Sequence, residues 1–76
     1  MVMTMNKGLW EVTVQRVKSE WDGNNPESVV ETGRDYRDYE VWASTREEAA
    51  EQAILWGLKD QEVTAVRVMR AVRAER

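Results

Sequence analysis

The chain contains neither cysteine nor histidine, and these two absences remove most familiar site chemistry. Without cysteine there is no disulfide and no thiolate metal site. Without histidine the commonest zinc ligand, the commonest general base and the Ser/His and Cys/His nucleophile pairs are missing. Gly8, Gly23, Gly33 and Gly57 are scattered, so no glycine-rich loop is available to cradle a phosphate. Internal repeats and low-complexity segments are also lacking. The start MVMTMNKG has no long apolar run behind a basic end, which indicates neither a signal peptide nor a membrane span. The expectation is a cytoplasmic, non-enzymatic protein with no cofactor and no resident metal.

What is present fits one small domain over residues 1–76, with 1–7 expected as a flexible N-terminus and 72–76 as a frayed tail. A chain of this size buries only about 60% of the surface its unfolded form exposes. With disulfides and thiolate metal sites excluded, self-association is the remaining way to add stability, and a homodimer is expected. The net charge of -3 is unevenly spread: Glu27 to Glu62 holds ten acidic against four basic residues, whereas Arg67, Arg70, Arg73 and Arg76 crowd the end. An acidic body argues against non-specific DNA binding, although a local arginine row still reaches phosphates.

In LWEVTVQRVKSEW, Trp10, Val12 and Val14 alternate with Glu11, Thr13 and Gln15, which predicts a first strand from Leu9. The apolar parity then switches to Val17 and Trp21, and a bulge near Gln15 or Arg16, or a strand that outruns the core and twists, would account for it. WDGNNPESVVETGRD is rich in turn-formers and reads as a long hairpin connection, with Ser28 to Glu31 able to extend the ladder, or as a mobile binding loop. Tyr39, Val41 and Ala43 give a second strand. Ser44 stands three residues before Glu47 and Thr45 three before Glu48, two overlapping capping boxes, with Ser44 preferred as N-cap of a helix over Thr45 to Trp56. Ala50, Ala53, Ile54, Gly57 and Leu58 form its apolar stripe, and Gly57 suits the left-handed position past the helix end. The valines of EVTAVRVMRAVRAER predict a third strand from about Glu62 to Ala71.

Strand, strand, helix, strand with a right-handed crossover gives an α+β, ββαβ fold: a three-stranded antiparallel sheet in the order 2-1-3 with one helix packed on one face. Such a sheet should be polar on its uncovered side. Here that side is mixed, because Trp42 shares parity with Glu40 and is expected there with Arg67 and Met69. These residues, or Trp21 in the hairpin connection, are the candidate contacts for a protein partner. The alternative is a nucleic-acid platform in which Arg67, Arg70 and Arg73 supply cations and Tyr36, Tyr39 and Trp42 stacking rings, opposed by the interleaved Asp35, Asp38 and Glu40. Glu47, Glu48 and Glu51 are the densest carboxylates. Acids in a first helical turn complement the helix dipole, which accounts for them without a Mg²⁺ site or an acid/base pair.

The run YEVWASTREEAAEQA, Tyr39 to Ala53, resembles the β-α unit of very small bacteriophage and mobile-element proteins, including the DpnD/PcfM-like group: strand, alanine, small hydroxyl cap, paired acids, alanine-rich helix. The resemblance covers roughly Tyr39 to Val68 and implies the ββαβ fold, a phage or plasmid origin and a non-enzymatic product that binds a host protein. It transfers no functional residue.

Overall fold

The computed structural model describes residues 7–21, 23 and 29–74. Its elements are β1 (Gly8–Trp21), β2 (Val29–Ala43), α1 (Arg46–Gly57) and β3 (Val63–Arg73). They form one antiparallel sheet in the order β2-β1-β3 with α1 against one face. The expected ββαβ architecture is therefore the observed one.

Central β1 alternates without interruption. Its even positions from Gly8 to Arg16 face α1, joined by Tyr39, Val41 and Ala43 of β2 and by Val66, Val68 and Ala71 of β3 through the pairings Val12↔Tyr39, Val14↔Val68 and Val12↔Ala71. The core is Val12, Val14, Val41, Ala43, Ala49, Ala53 and Ala71, flanked by Trp10, Tyr39, Trp56, Val66 and Val68. Each fully buried valine contributes about 1.5–3 kcal/mol. The alanines let the helix lie close to the sheet. The large rings close the rim: Tyr39 and Trp56 sit 5.7 Å apart at 60°, and Trp10 donates its indole N–H to the Ala43 carbonyl at 3.0 Å.

Several local expectations are corrected. The parity switch in β1 is not a bulge at Gln15 or Arg16. The register shifts fall between Thr13 and Val14, Val17 and Lys18, and Lys18 and Ser19, where β3 inserts Met69 and Thr64 and β2 inserts Thr32. The apolar parity breaks because the core-facing position 16 is an arginine. Arg16 is buried, donating to Asp35 from Nε at 2.7 Å and from Nη2 at 2.5 Å, with Asp60 3.7 Å from Nη1. That guanidinium ties β1 to β2 and to the α1–β3 connection.

The helix begins one residue later than the preferred cap. Thr45 is extended at φ -130, ψ 160, and its hydroxyl accepts from the Glu48 N–H at 3.2 Å; the Glu48 carboxylate reaches back to the Ser44 N–H at 3.3 Å. Its buried stripe is Ala49, Ala53 and Gly57, one position from the expected Ala50. Gly57 is not a left-handed cap, since Leu58 closes the helix at φ -80. It is a close-approach residue: a Cβ there would stand 2.9 Å from a Val66 methyl.

The hairpin ladder continues to Trp21↔Val29, so most of the expected connection is strand. Asp22 and residues 24–28 lie outside the described residues, as do 1–6 of the expected N-terminal segment and 75–76 of the tail. β3 runs to Arg73, and the Ala74 N–H donates to the Leu9 carbonyl at 2.9 Å, so the strand outlasts its expected end at Ala71. The long ladder overhangs the helix. The radius of gyration is 15.9 Å, against about 11 Å for a compact chain of this length.

Candidate binding surface

The uncovered face of the sheet is set by the odd positions of β1 and their partners. From one end to the other its rows are Trp42 and Leu9; Glu40, Glu11 and Val72; Asp38, Thr13 and Arg70; Tyr36, Gln15 and Arg67; Arg34, Val17 and Ala65. Adjacent strands are about 4.8 Å apart, so the acids on β2 and the arginines on β3 are separated by about 10 Å with polar β1 side chains between them. The centre of the face is held by side-chain bonds: Thr13 donates to Asp38 at 2.6 Å and Gln15 to the Tyr36 hydroxyl at 3.1 Å. Its apolar residues lie at the ends.

Trp42 is 66% exposed although Val41 and Ala43 on either side are buried. A strand residue can do this only by pointing away from the helix, which is where parity places it. Arg67 is on the same face, six residues of strand away, or about 20 Å. Met69 is the extra residue of a β3 bulge and is half-exposed. Trp21 lies at the far end of the ladder, about 40 Å from Trp42 measured along β1. The four expected partner contacts are thus not one patch: Trp42 and Arg67 share a face at a distance, and Trp21 belongs to a two-stranded arm with the exposed Val29 and Val30.

The arginine row is also divided. Arg67 and Arg70 share the open face with Tyr36, but Arg73 turns to the helix side, where its guanidinium lies 5.6 Å from the Trp10 ring centroid. Arg70 and Arg73 are three residues apart, so plain alternation sets them on opposite faces, whereas the inserted Met69 brings Arg67 and Arg70, also three apart, to the same one. Tyr39 likewise faces α1, against Trp56, and does not join the open-face rings. Glu47, Glu48 and Glu51 are exposed on α1, with Glu48 engaged in the cap. Among the described residues no three acidic side chains converge on a metal-sized site and there is no enclosed pocket. No described helix is long and apolar enough to cross a membrane.

Two carboxylates are held below their usual range. Hydrogen bonds from Arg16 lower Asp35, and the hydrogen-bonded Arg34 guanidinium lowers Glu31. Both carboxylates lie on β2, one paired across to β1 and one within the strand, and sequence patterning did not single them out. The signal was available in the run GRDYRDYE, where the charges alternate in sign along a strand.

Among the described residues the fold defines a ββαβ domain whose sheet has one helix-covered face, one uncovered face and two free edges. No family model, no curated protein and no solved structure matches the chain.

Proposed function

We propose that the chain is a non-enzymatic protein-interaction module of the phage or mobile-element kind, acting in the cytoplasm, and that the uncovered sheet face binds a partner protein with Trp42 as its anchor. The observation that carries this reading is the exposure of Trp42 beside Leu9, opposite the part of the sheet where Val41 and Ala43 are buried under α1. A tryptophan offers a large contact area at low entropic cost, and such residues dominate the energetics of interfaces. Glu40, Glu11 and Asp38 next to it supply the polar rim of an interface core.

The test is capture from host lysate by the wild-type chain and by Trp42→Asp, with circular dichroism as the control for folding. A folded variant that loses the captured protein supports the reading, and a folded variant that retains it removes Trp42 as anchor. A second reading rests on Arg67, Arg70 and Tyr36 sharing this face. It requires a nucleic-acid complex whose affinity falls steeply with salt, and no gel shift at low salt would exclude it.

A further inference from the structure

Among the described residues β2 and β3 are both edge strands, and each presents a row of backbone N–H and C=O groups on its outer side that no described strand pairs. The two edges differ. β3 carries Arg67, Arg70 and Arg73 with no acid, and the inserted Thr64 and Met69 break its line twice. β2 is longer, and at its centre Arg34, Asp35, Tyr36, Arg37 and Asp38 form a run whose charges invert about Tyr36. Tyr36 is also the midpoint of Val29–Ala43, with seven residues on each side.

We propose that β2 pairs antiparallel with β2 of a second copy about a two-fold axis through Tyr36. This goes beyond the open-face reading and uses a different surface. In that register Arg34 stands opposite Asp38 of the second copy and Asp35 opposite its Arg37; symmetry repeats each pair, and the two tyrosines meet at the axis. Facing side chains in a sheet must share a side, so only registers centred on a residue are allowed. Each of the others from Gly33 to Tyr39 sets like charges against each other: Arg34, Asp35, Arg37 or Asp38 on itself, Asp35 on Glu31, or Asp38 on Glu40. Opposite charges directly across a ladder attract and like charges repel, so the sequence selects one register and disfavours its neighbours.

The groups involved are accessible. Arg37 is exposed, and its side chain makes no hydrogen bond or ion pair among the described residues, acting on Asp35 of its own strand only through its charge. Asp35 keeps 36% of its side chain exposed while bound to Arg16, and Arg34 keeps 58%. Asp38 receives the Thr13 hydroxyl on Oδ1, which leaves Oδ2 for an arginine. Gly33–Tyr39 is the regular part of the pairing, because the inserted Thr32 interrupts the strand beyond it. The product is a closed six-stranded sheet, β3-β1-β2-β2-β1-β3, with both helices on one side. Only the bulged, arginine-bearing β3 edges remain free, and they repel their own kind.

The absence of native cysteine makes the register directly readable. Tyr36→Cys places two thiols opposite each other at the axis and should give a disulfide-linked dimer on mild oxidation. Trp42→Cys places them about 40 Å apart and should not. Light scattering of the full chain should show a dimer that Arg37→Asp weakens by about tenfold or more, as two attractive pairs become repulsive. Arg34→Asp should weaken it similarly, and adding Asp38→Arg should restore it by reversing both members of the pair. A wild-type monomer at millimolar concentration, crosslinking through residue 42 instead of 36, or failure of the charge reversal to rescue would each overturn the proposal. A ladder of higher species would do so too, since it would mean head-to-tail pairing of β2 with β3. A dimer that forms by these criteria while no protein is captured at Trp42 would leave the edge pairing intact and remove the open-face reading.

Discussion

Replacing Gly57 by alanine separates two accounts of that glycine. Judged by helix propensity alone, Gly57→Ala should stabilise the last turn of α1 by up to about 1 kcal/mol. Packing predicts the opposite. The added Cβ would lie 2.9 and 3.1 Å from the two Val66 methyls and 3.6 Å from Arg16 Cδ, where ordinary contact begins at 3.4 Å. Val66 is β-branched and held in strand β3, so its χ1 has little freedom to swing away. Relief therefore requires α1 to lift by several tenths of an ångström from a core of valines and alanines. Overpacking of this kind costs about 1–3 kcal/mol, so a propensity gain of up to about 1 kcal/mol leaves a net loss of about 0–2 kcal/mol. In a chain this small that lowers the melting temperature by about 4–8 °C per kcal/mol. Urea unfolding followed by tryptophan fluorescence, at one fixed protein concentration because self-association shifts apparent stability, measures it. Val66→Ala alone should cost about 1.5 kcal/mol for two lost methyl groups. Combined with Gly57→Ala it should cost less than the sum, because the clash is gone. A Gly57→Ala chain about 1 kcal/mol more stable than the wild type, as propensity alone requires, would refute close approach as the reason for the glycine.

Thr45→Ala should destabilise the chain by about 1 kcal/mol by removing the acceptor of the Glu48 N–H, whereas Ser44→Ala should be nearly neutral; the reverse order in urea unfolding would return the cap to Ser44. Asp35 is lowered by its hydrogen bonds from Arg16, so the folded chain binds fewer protons at this site than the unfolded one. Its contribution is complete above the ordinary carboxylate value of about 4 and is lost as pH falls through the lowered folded value. Asp35→Asn should accordingly flatten the acid limb of the stability–pH profile, and an unchanged slope below pH 4 would show that the Arg16 pair is not responsible.

Much of the architecture follows from short-range pattern. The alternation in Leu9–Val14 and Tyr39–Ala43, the hydroxyl-acid caps before an alanine-rich stretch and the final valines specify strand, strand, helix and strand, and chain connectivity then leaves the order β2-β1-β3. These features are legible because each depends on residues close in sequence and on the periods of helix and strand. The candidate surface was legible in part. Parity alone sends Trp42 to the uncovered face, while the distance from Trp42 to Trp21 and the division of Arg73 from Arg67 depend on strand length and on the insertions at Thr32, Thr64 and Met69. A bulge is a property of two paired strands, and neither strand carries it alone.

Arg16 shows the same limit from the other side. A charged residue within an alternating strand reads as a change of face until Asp35 and Asp60, distant in sequence, are brought around it and make its burial affordable. The sequence by itself determined the elements, their order and the sign-inverting run at Arg34–Asp38. Only the tertiary structure decided that this run lies along an edge strand, that Gly57 is a contact and not a cap, and that Arg73 leaves the face that Arg67 keeps, because each of these depends on which strands and which helix face come together in space.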